Sequence, residues 1–446
     1  MIDLVVWAGL LLVGSGAVCA LGYGIARRPR LGMALMALLI ALDYQFQNWP
    51  PLLSLGGIAI SVVDVTAATL LLAAMLGGRG SLGARIPPFT RLAIAGIITM
   101  VLLSLVLGVT TYGLGPAAND ARGWVYIVVI GFWTYRVSCG NPDWRLEWEN
   151  WLLWPAAAVA VVGLSNIAMH GLGSASTQTR DAYGEVIAAG RPLTSHQAIF
   201  LAIGAVVLIE RWRVSKGNWR LAGALVLGVM LVLAQHRSVW VAAAAMGLIV
   251  VLRSLGRRPL ETAAALIAVA SAAALSWRLI LQTSLGSLLD VSASDTRTYE
   301  GRQYDWQYLM AERAADPVFV QLVGQPFGTS WERPLESGGV VTYAPHNWYV
   351  STGLQLGALG AAALVLIIGG AVVRAMRADA PLPAFPVLLG LTAFFWTYNM
   401  KWFTTPVLVW AVLVTLKPAG DGGDPPRRGI ARGRRTRSPR AARPTR

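Results

Sequence analysis

Long stretches of this chain carry no charge at all. Leu92–Val109 and Trp151–Met169 contain no Asp, Glu, Lys or Arg. A run of roughly 20 apolar residues is long enough to cross the hydrocarbon core of a bilayer as a helix. In lipid the backbone must satisfy its own hydrogen bonds, so repeated runs of this kind predict an all-α membrane bundle. They also exclude an outer-membrane barrel, whose strands alternate apolar and polar residues. Only 13% of the residues are charged, against about 25% in soluble domains.

Thirteen spans are predicted by hydropathy, or twelve if the region before Gly80 is counted differently. They cover about Leu4–Ile25, Leu31–Leu42, Leu55–Leu76, Leu92–Val109, Trp124–Tyr135 and Trp151–Met169. A seventh is opened by Arg191-Pro192 and ends before Glu210, followed by Leu221–Ala234, Ser238–Leu252 and Glu261–Ile280. The last three are about His346–Val373, Phe385–Tyr398 and Phe403–Leu416. The stretch TYGLGPAANDARG after Val109 reads as a short external loop, and RVSCGNPDWRLEWEN as a cytoplasmic one. The chain thus divides into N-terminal helices (1–280), a large external loop (281–345), C-terminal helices (346–416) and a tail (417–446). No internal repeat or pair of matched halves is evident, which weakens a transporter reading.

Charge sets the expected orientation. The net charge is +15, but it is unevenly spread. Lys417–Arg446 holds ten Lys and Arg against two Asp, whereas 281–345 holds four Arg against eight acids. Basic segments mark the cytoplasmic side. The tail is therefore expected to be a disordered cytoplasmic anchor, not a nucleic-acid arm, and the acidic loop to be external. The two cysteines, Cys19 and Cys139, suggest neither a disulfide framework nor a metal set. MIDLVVWAGLLLVG has no positive n-region, so it reads as a retained helix.

Few polar residues are placed to do chemistry. An ionisable side chain at the mouth of a membrane helix is costly enough to mark a functional site. His346 stands there with Asn347, and a neutral imidazole can take a proton from a sugar hydroxyl as a general base. Asn347 could orient that ring or bind a hydroxyl; equally, the pair could merely cap the helix. His236 lies beside Arg237 in AQHRSVW, between two apolar runs. His196 falls on the first turns of the seventh helix.

Arg191, Arg237, Arg302 and Lys401 recur at external helix mouths or in the long loop. Arg presents several N–H donors in a fixed fork that suits phosphate. Several such groups on one external cavity would suit a lipid-borne diphosphate; alternatively each snorkels to headgroups. Within the loop, Tyr299–Ala315 is predicted helical, with Arg302, Trp306, Leu309 and Arg313 on one face. That face could hold a phosphate beside a sugar stacked on Trp306, or pack a lid helix onto the membrane surface. No H-E-x-x-H pattern, P-loop, D-x-D pair or G-x-S-x-G elbow is present. These absences fit a metal-independent, cofactor-free reaction on a preactivated donor.

Three motifs carry a family resemblance. One is Gly301-Arg302 with Trp306, then Leu322-Val323-Gly324 and Phe327-Gly328. Another is His346-Asn347 followed by Gly353, Leu356-Gly357 and Gly360. The third is Arg237-Ser238 after an apolar helix, with Val239 where a Gly is more usual, together with Arg191 opening a membrane helix. On these the chain resembles the O-antigen ligase and polysaccharide polymerase superfamily of bacterial inner-membrane proteins.

That resemblance implies a GT-C-like, metal-independent, inverting glycosyltransferase. Its active site would face the periplasm and its C-terminus the cytoplasm. The donor would be a glycan on undecaprenyl diphosphate. The acceptor would be lipid A-core for a ligase, or another lipid-linked repeat unit for a polymerase. Arg191, Arg237 and Arg302 would hold the diphosphate and His346 the acceptor hydroxyl, with Trp306, Asn347, His236 and Lys401 around the substrate. The extra N-terminal span departs from the ligase pattern. A flippase for lipid-linked glycans and a non-catalytic assembly protein are the alternatives from other classes.

Overall fold

A computed structural model describes residues 2–416 apart from 44–50, 56, 78–85, 141–142, 174–178, 181–185, 189–190, 257, 265–266, 268–270, 272–281, 295–296, 335–339, 343 and 378–382. The predicted basic tail, most of the Glu261–Ile280 span and the aromatic turn after Asp43 lie outside the described residues.

Helices dominate, as the apolar runs require. In chain order they are α1 (Ile2–Arg27), α2 (Pro29–Leu42), α3 (Val62–Leu76), α4 (Pro88–Tyr112), α5 (Leu114–Gly140) and α6 (Trp144–His170). Next come α7 (Ser195–Ser215), α8 (Asn218–Leu233) and α9 (Arg237–Leu255). The large loop holds α10 (Ser284–Ser294), α11 (Arg297–Ala314) and α12 (Val318–Val323). The chain closes with α13 (Trp348–Arg377), α14 (Ala384–Phe395) and α15 (Thr405–Leu416). Sheet among the described residues is confined to antiparallel pairs: β1–β2 (Leu53–Leu55, Ile58–Ile60), β3–β4 (Thr179–Arg180, Val186–Ala188) and β5–β6 (Arg333–Pro334, Val340–Val341). Among the described residues, α4, α6, α9 and α13 are long and apolar enough to cross a membrane. The chain is a helical membrane protein.

Several boundaries differ from the sequence expectation. The supposed external loop after Val109 is largely helical. Gly113, at φ +84°, makes the turn, and α5 starts at Leu114. Its polar first turns survive because each side chain finds a partner. Asn119 donates to the Gly57 carbonyl, Arg122 to the Ala59 carbonyl, and Asp120 accepts from the Gly328 N–H at 3.0 Å. The supposed cytoplasmic loop after Tyr135 is also mostly helix, divided between α5 and α6. Leu55–Leu76 begins as a hairpin, and α3 starts only at Val62, capped by Ser61 with Asp64. Likewise, α7 does not start at Pro192. The Thr194–Gln197 capping box fixes its first turn, a pattern readable in the sequence as T-x-x-Q.

The element that organises the end of the bundle next to the large loop is α13, which is broken. Gly357 sits at φ +70°, inside an otherwise helical run. A break in a membrane helix leaves carbonyls that lipid cannot satisfy. Here the loop satisfies them. Leu354 O accepts from the Gln325 N–H at 2.9 Å and from Arg313 Nη1 at 2.7 Å. Gln355 O accepts from Ser104 Oγ of α4 at 2.8 Å. Such close backbone approach leaves no room for side chains. Gly324 lies at φ +100°, and a Cβ there would strike the Gln355 carbonyl, while one on Gly357 would strike that of Leu322. The glycines of the two motifs are therefore two halves of one contact.

Gly357→Ala and Gly324→Ala should each destabilise the protein by at least the overpacking cost of about 1–3 kcal/mol. Gly353→Ala should be neutral or stabilising, because a Cβ there meets nothing within 4 Å. Thermal unfolding of the three variants in detergent checks this.

Candidate active site

Arg313 fixes the helix that carries Arg302. Besides Leu354 O, its guanidinium donates to Val320 O and Gln321 O at 2.8 and 2.9 Å. Trp306, Leu309 and Arg313 are buried and Arg302 half-buried, so the predicted face of α11 is the packed face. Arg302 lies eleven residues from Arg313, about 16 Å along the helix. It ends over the Tyr398 ring, 4.9 Å from the centroid, and donates to Thr397 O at 3.1 Å.

Tyr398 sits where several elements meet. His196 packs edge-on against it at 5.1 Å, and His346 at 6.2 Å. The neighbouring Asn399 links the same parts. Its carbonyl accepts from His196 Nε2–H at 3.0 Å, and its Oδ1 accepts from Ser351 of α13 at 2.9 Å. Sequence reasoning passed over Tyr398 and Asn399; the signal was the polar run Thr397–Lys401 between two apolar helices.

His236 joins α9 to the segment before α7. Its Nε2–H donates to Leu193 O at 2.8 Å, which leaves Nδ1 facing Arg191 Nη1 at 3.4 Å. Burial first, and then Arg191, lower its pKa to about 3. Arg237 follows as the first residue of α9. It is half-buried, and among the described residues its side chain has no hydrogen bond or ion pair.

His346 stands just before α13 and is half-buried. Burial, then Arg302 and Arg333, lower its pKa to about 4, with Asp305 opposing. The imidazole is therefore neutral at pH 7 and can accept a proton. Asn347 follows it and serves the helix start. Only 1% exposed, it uses Oδ1 to accept from the Tyr349 and Val350 N–H groups and caps α13.

Two cations are already engaged by buried carboxylates. Arg333 holds Asp305 through both oxygens at 2.9 Å, which ties β5 to α11. Lys401 Nζ lies 3.5 Å from Asp43, whose carboxyl is 2% exposed. Burial raises the Asp43 pKa, and Lys401 opposes that rise. Lys401 is thus a partner of Asp43, not the open external cation that the sequence suggests. Trp306, 7% exposed, packs edge-on against Tyr299 and Trp396 at 6.0 and 6.1 Å, so its ring is largely enclosed by the protein.

The N-termini of α7, α9 and α13 meet around these groups. Each helix start carries a partial positive charge. With Arg191 and Arg302 added, the region is electropositive. The neutral His346 beside it supplies a proton acceptor. No family model matches this chain, and no curated protein matches it.

Replacing Arg302 with Gln removes a cation that disfavours imidazolium, so the His346 pKa should rise from about 4. Histidine-¹⁵N NMR titration of the reconstituted protein checks the direction. The linked stability has a definite sign. The folded pKa lies below the free value of about 6.5, so the folded state binds fewer protons. Stability should be intact above about pH 6.5 and fall as pH drops toward 4.

Proposed function

We propose that this protein is an O-antigen ligase-like glycosyltransferase of the bacterial inner membrane. It moves a glycan from undecaprenyl diphosphate to an acceptor hydroxyl at the periplasmic face. The observation that carries the reading is a neutral His346 held beside Arg302 and Tyr398, at one end of a membrane bundle where three helix N-termini meet. The sequence resemblance supports the substrate class.

In this reading, Arg191, Arg237 and Arg302 neutralise the diphosphate and the charge it gains on leaving. The acceptor oxygen attacks the anomeric carbon as the bond from that carbon to the diphosphate oxygen breaks. His346 takes the hydroxyl proton. A single displacement inverts the sugar carbon. The resting pKa of about 4 makes His346 a weak base. A bound diphosphate counters the cations that depress it, so the base strengthens when the donor is seated.

His346→Ala and Arg237→Ala, each expressed in a strain lacking the native gene, test the reading. Loss of a positioned general base typically costs about 10²–10⁴-fold in rate. Surface polysaccharide should therefore fall to trace levels while the variant protein remains in the membrane. Normal polysaccharide with either variant stably present would overturn the catalytic roles. Glycan stranded on undecaprenyl diphosphate as long chains marks a lost ligase, and single repeats on the core mark a lost polymerase.

A further inference from the structure

A cavity of about 620 Å³ lies between α4, α5, α13 and α15. Its walls are almost wholly apolar, with Ile98, Phe132, Leu364 and Leu408 among them. Trp348 lines the end next to the candidate site, while Thr90, Arg91 and Leu416 line the other. The helices fix that polarity. α4 runs antiparallel to α13, with Phe89 against Gly370 and Ser104 bonded to Gln355. One face of α15 lines the cavity from Thr405 to Leu416, a rise of about 16 Å. One leaflet of a hydrocarbon core about 30 Å thick is of similar depth.

An apolar cavity does not hold water, and an empty one forfeits dispersion contacts with every wall atom. The solvent that can fill it is hydrocarbon chain from the bilayer. Its far end bears a second, independent feature. Thr90 is 1% exposed, lines the cavity, and its Oγ1 has no hydrogen-bond partner among the described residues. A buried hydroxyl without a partner is costly. Beside it, the exposed Arg91 guanidinium makes no hydrogen bond or ion pair with any described residue.

We infer that this cavity holds one acyl chain of an anionic phospholipid from the leaflet away from the candidate site, with the headgroup phosphate on Arg91 and an ester carbonyl accepting from Thr90. The polar anchor lies at the end opposite His346. The occupant is therefore a resident lipid and not the donor of the proposed reaction. It stiffens the contact between α13, whose start carries His346, and α15. The inference does not depend on the glycosyltransferase reading.

Native mass spectrometry of the full-length protein tests it, after reconstitution in phosphatidylcholine nanodiscs doped with phosphatidylglycerol. The wild type should retain one phosphatidylglycerol in preference to phosphatidylcholine. Arg91→Gln should weaken that preference about fivefold, the effect of one Arg at an anionic leaflet. Ile98→Trp, which fills the cavity from a partly lipid-facing position, should abolish retention of either lipid. Retention in both variants equal to the wild type would overturn the assignment. So would equal retention of the two lipids by the wild type, or a wild type that retains neither.

Discussion

A membrane helix cannot break without new partners for the groups the break exposes, and the loop-bearing end of this protein follows from that constraint. Gly357 interrupts α13. The carbonyls of Leu354 and Gln355 are then satisfied by Gln325, Arg313 and Ser104. Three parts distant in sequence are thereby fixed against one another: the loop, α4 and the first half of α13. Because Arg313 is one of those donors, α11 is held on its packed face. Arg302, at the other end of that face, is carried to Tyr398. The position of the candidate phosphate ligand thus depends on a backbone contact more than two helical turns away.

Pairing also neutralises two of the cations. Asp305 neutralises the buried Arg333, and Asp43 neutralises Lys401. Both pairs are costly to break, since removing one partner leaves a charge in a dry environment. Arg191 lies beside His236 and Arg302 lies over Tyr398, near the N-termini of α7, α9 and α13. Positive charge and low exposure together hold His236 and His346 in their neutral forms. The same features that attract an anion therefore keep a proton acceptor available at neutral pH.

The bundle itself was legible because apolar runs report burial in lipid directly. The packed face of α11 was legible too, because Arg302, Trp306, Leu309 and Arg313 follow the helical period. What that face does was not legible. An Arg on such a face looks alike in sequence whether it grips a ligand or a carbonyl, and Arg313 grips carbonyls while Trp306 packs against Tyr299 and Trp396. The first turns of α5 were misread as loop because Asn119, Asp120 and Arg122 are polar. Their partners in β1–β2 and the segment at Gly328 lie far along the chain, beyond any local pattern. The ion pair of Lys401 with Asp43 was hidden for the same reason.

The central claim is that these residues form a site for transfer from a lipid diphosphate. The most direct test is single-turnover transfer by the purified full-length protein in liposomes, with a labelled glycan on undecaprenyl diphosphate and a lipid acceptor. The account predicts inverted glycosidic product with release of undecaprenyl diphosphate, and a reaction that slows as pH falls, with an apparent pKa above the resting His346 value of about 4 because the seated diphosphate raises it. Donor that binds and is carried across the bilayer with its glycan still attached would contradict it.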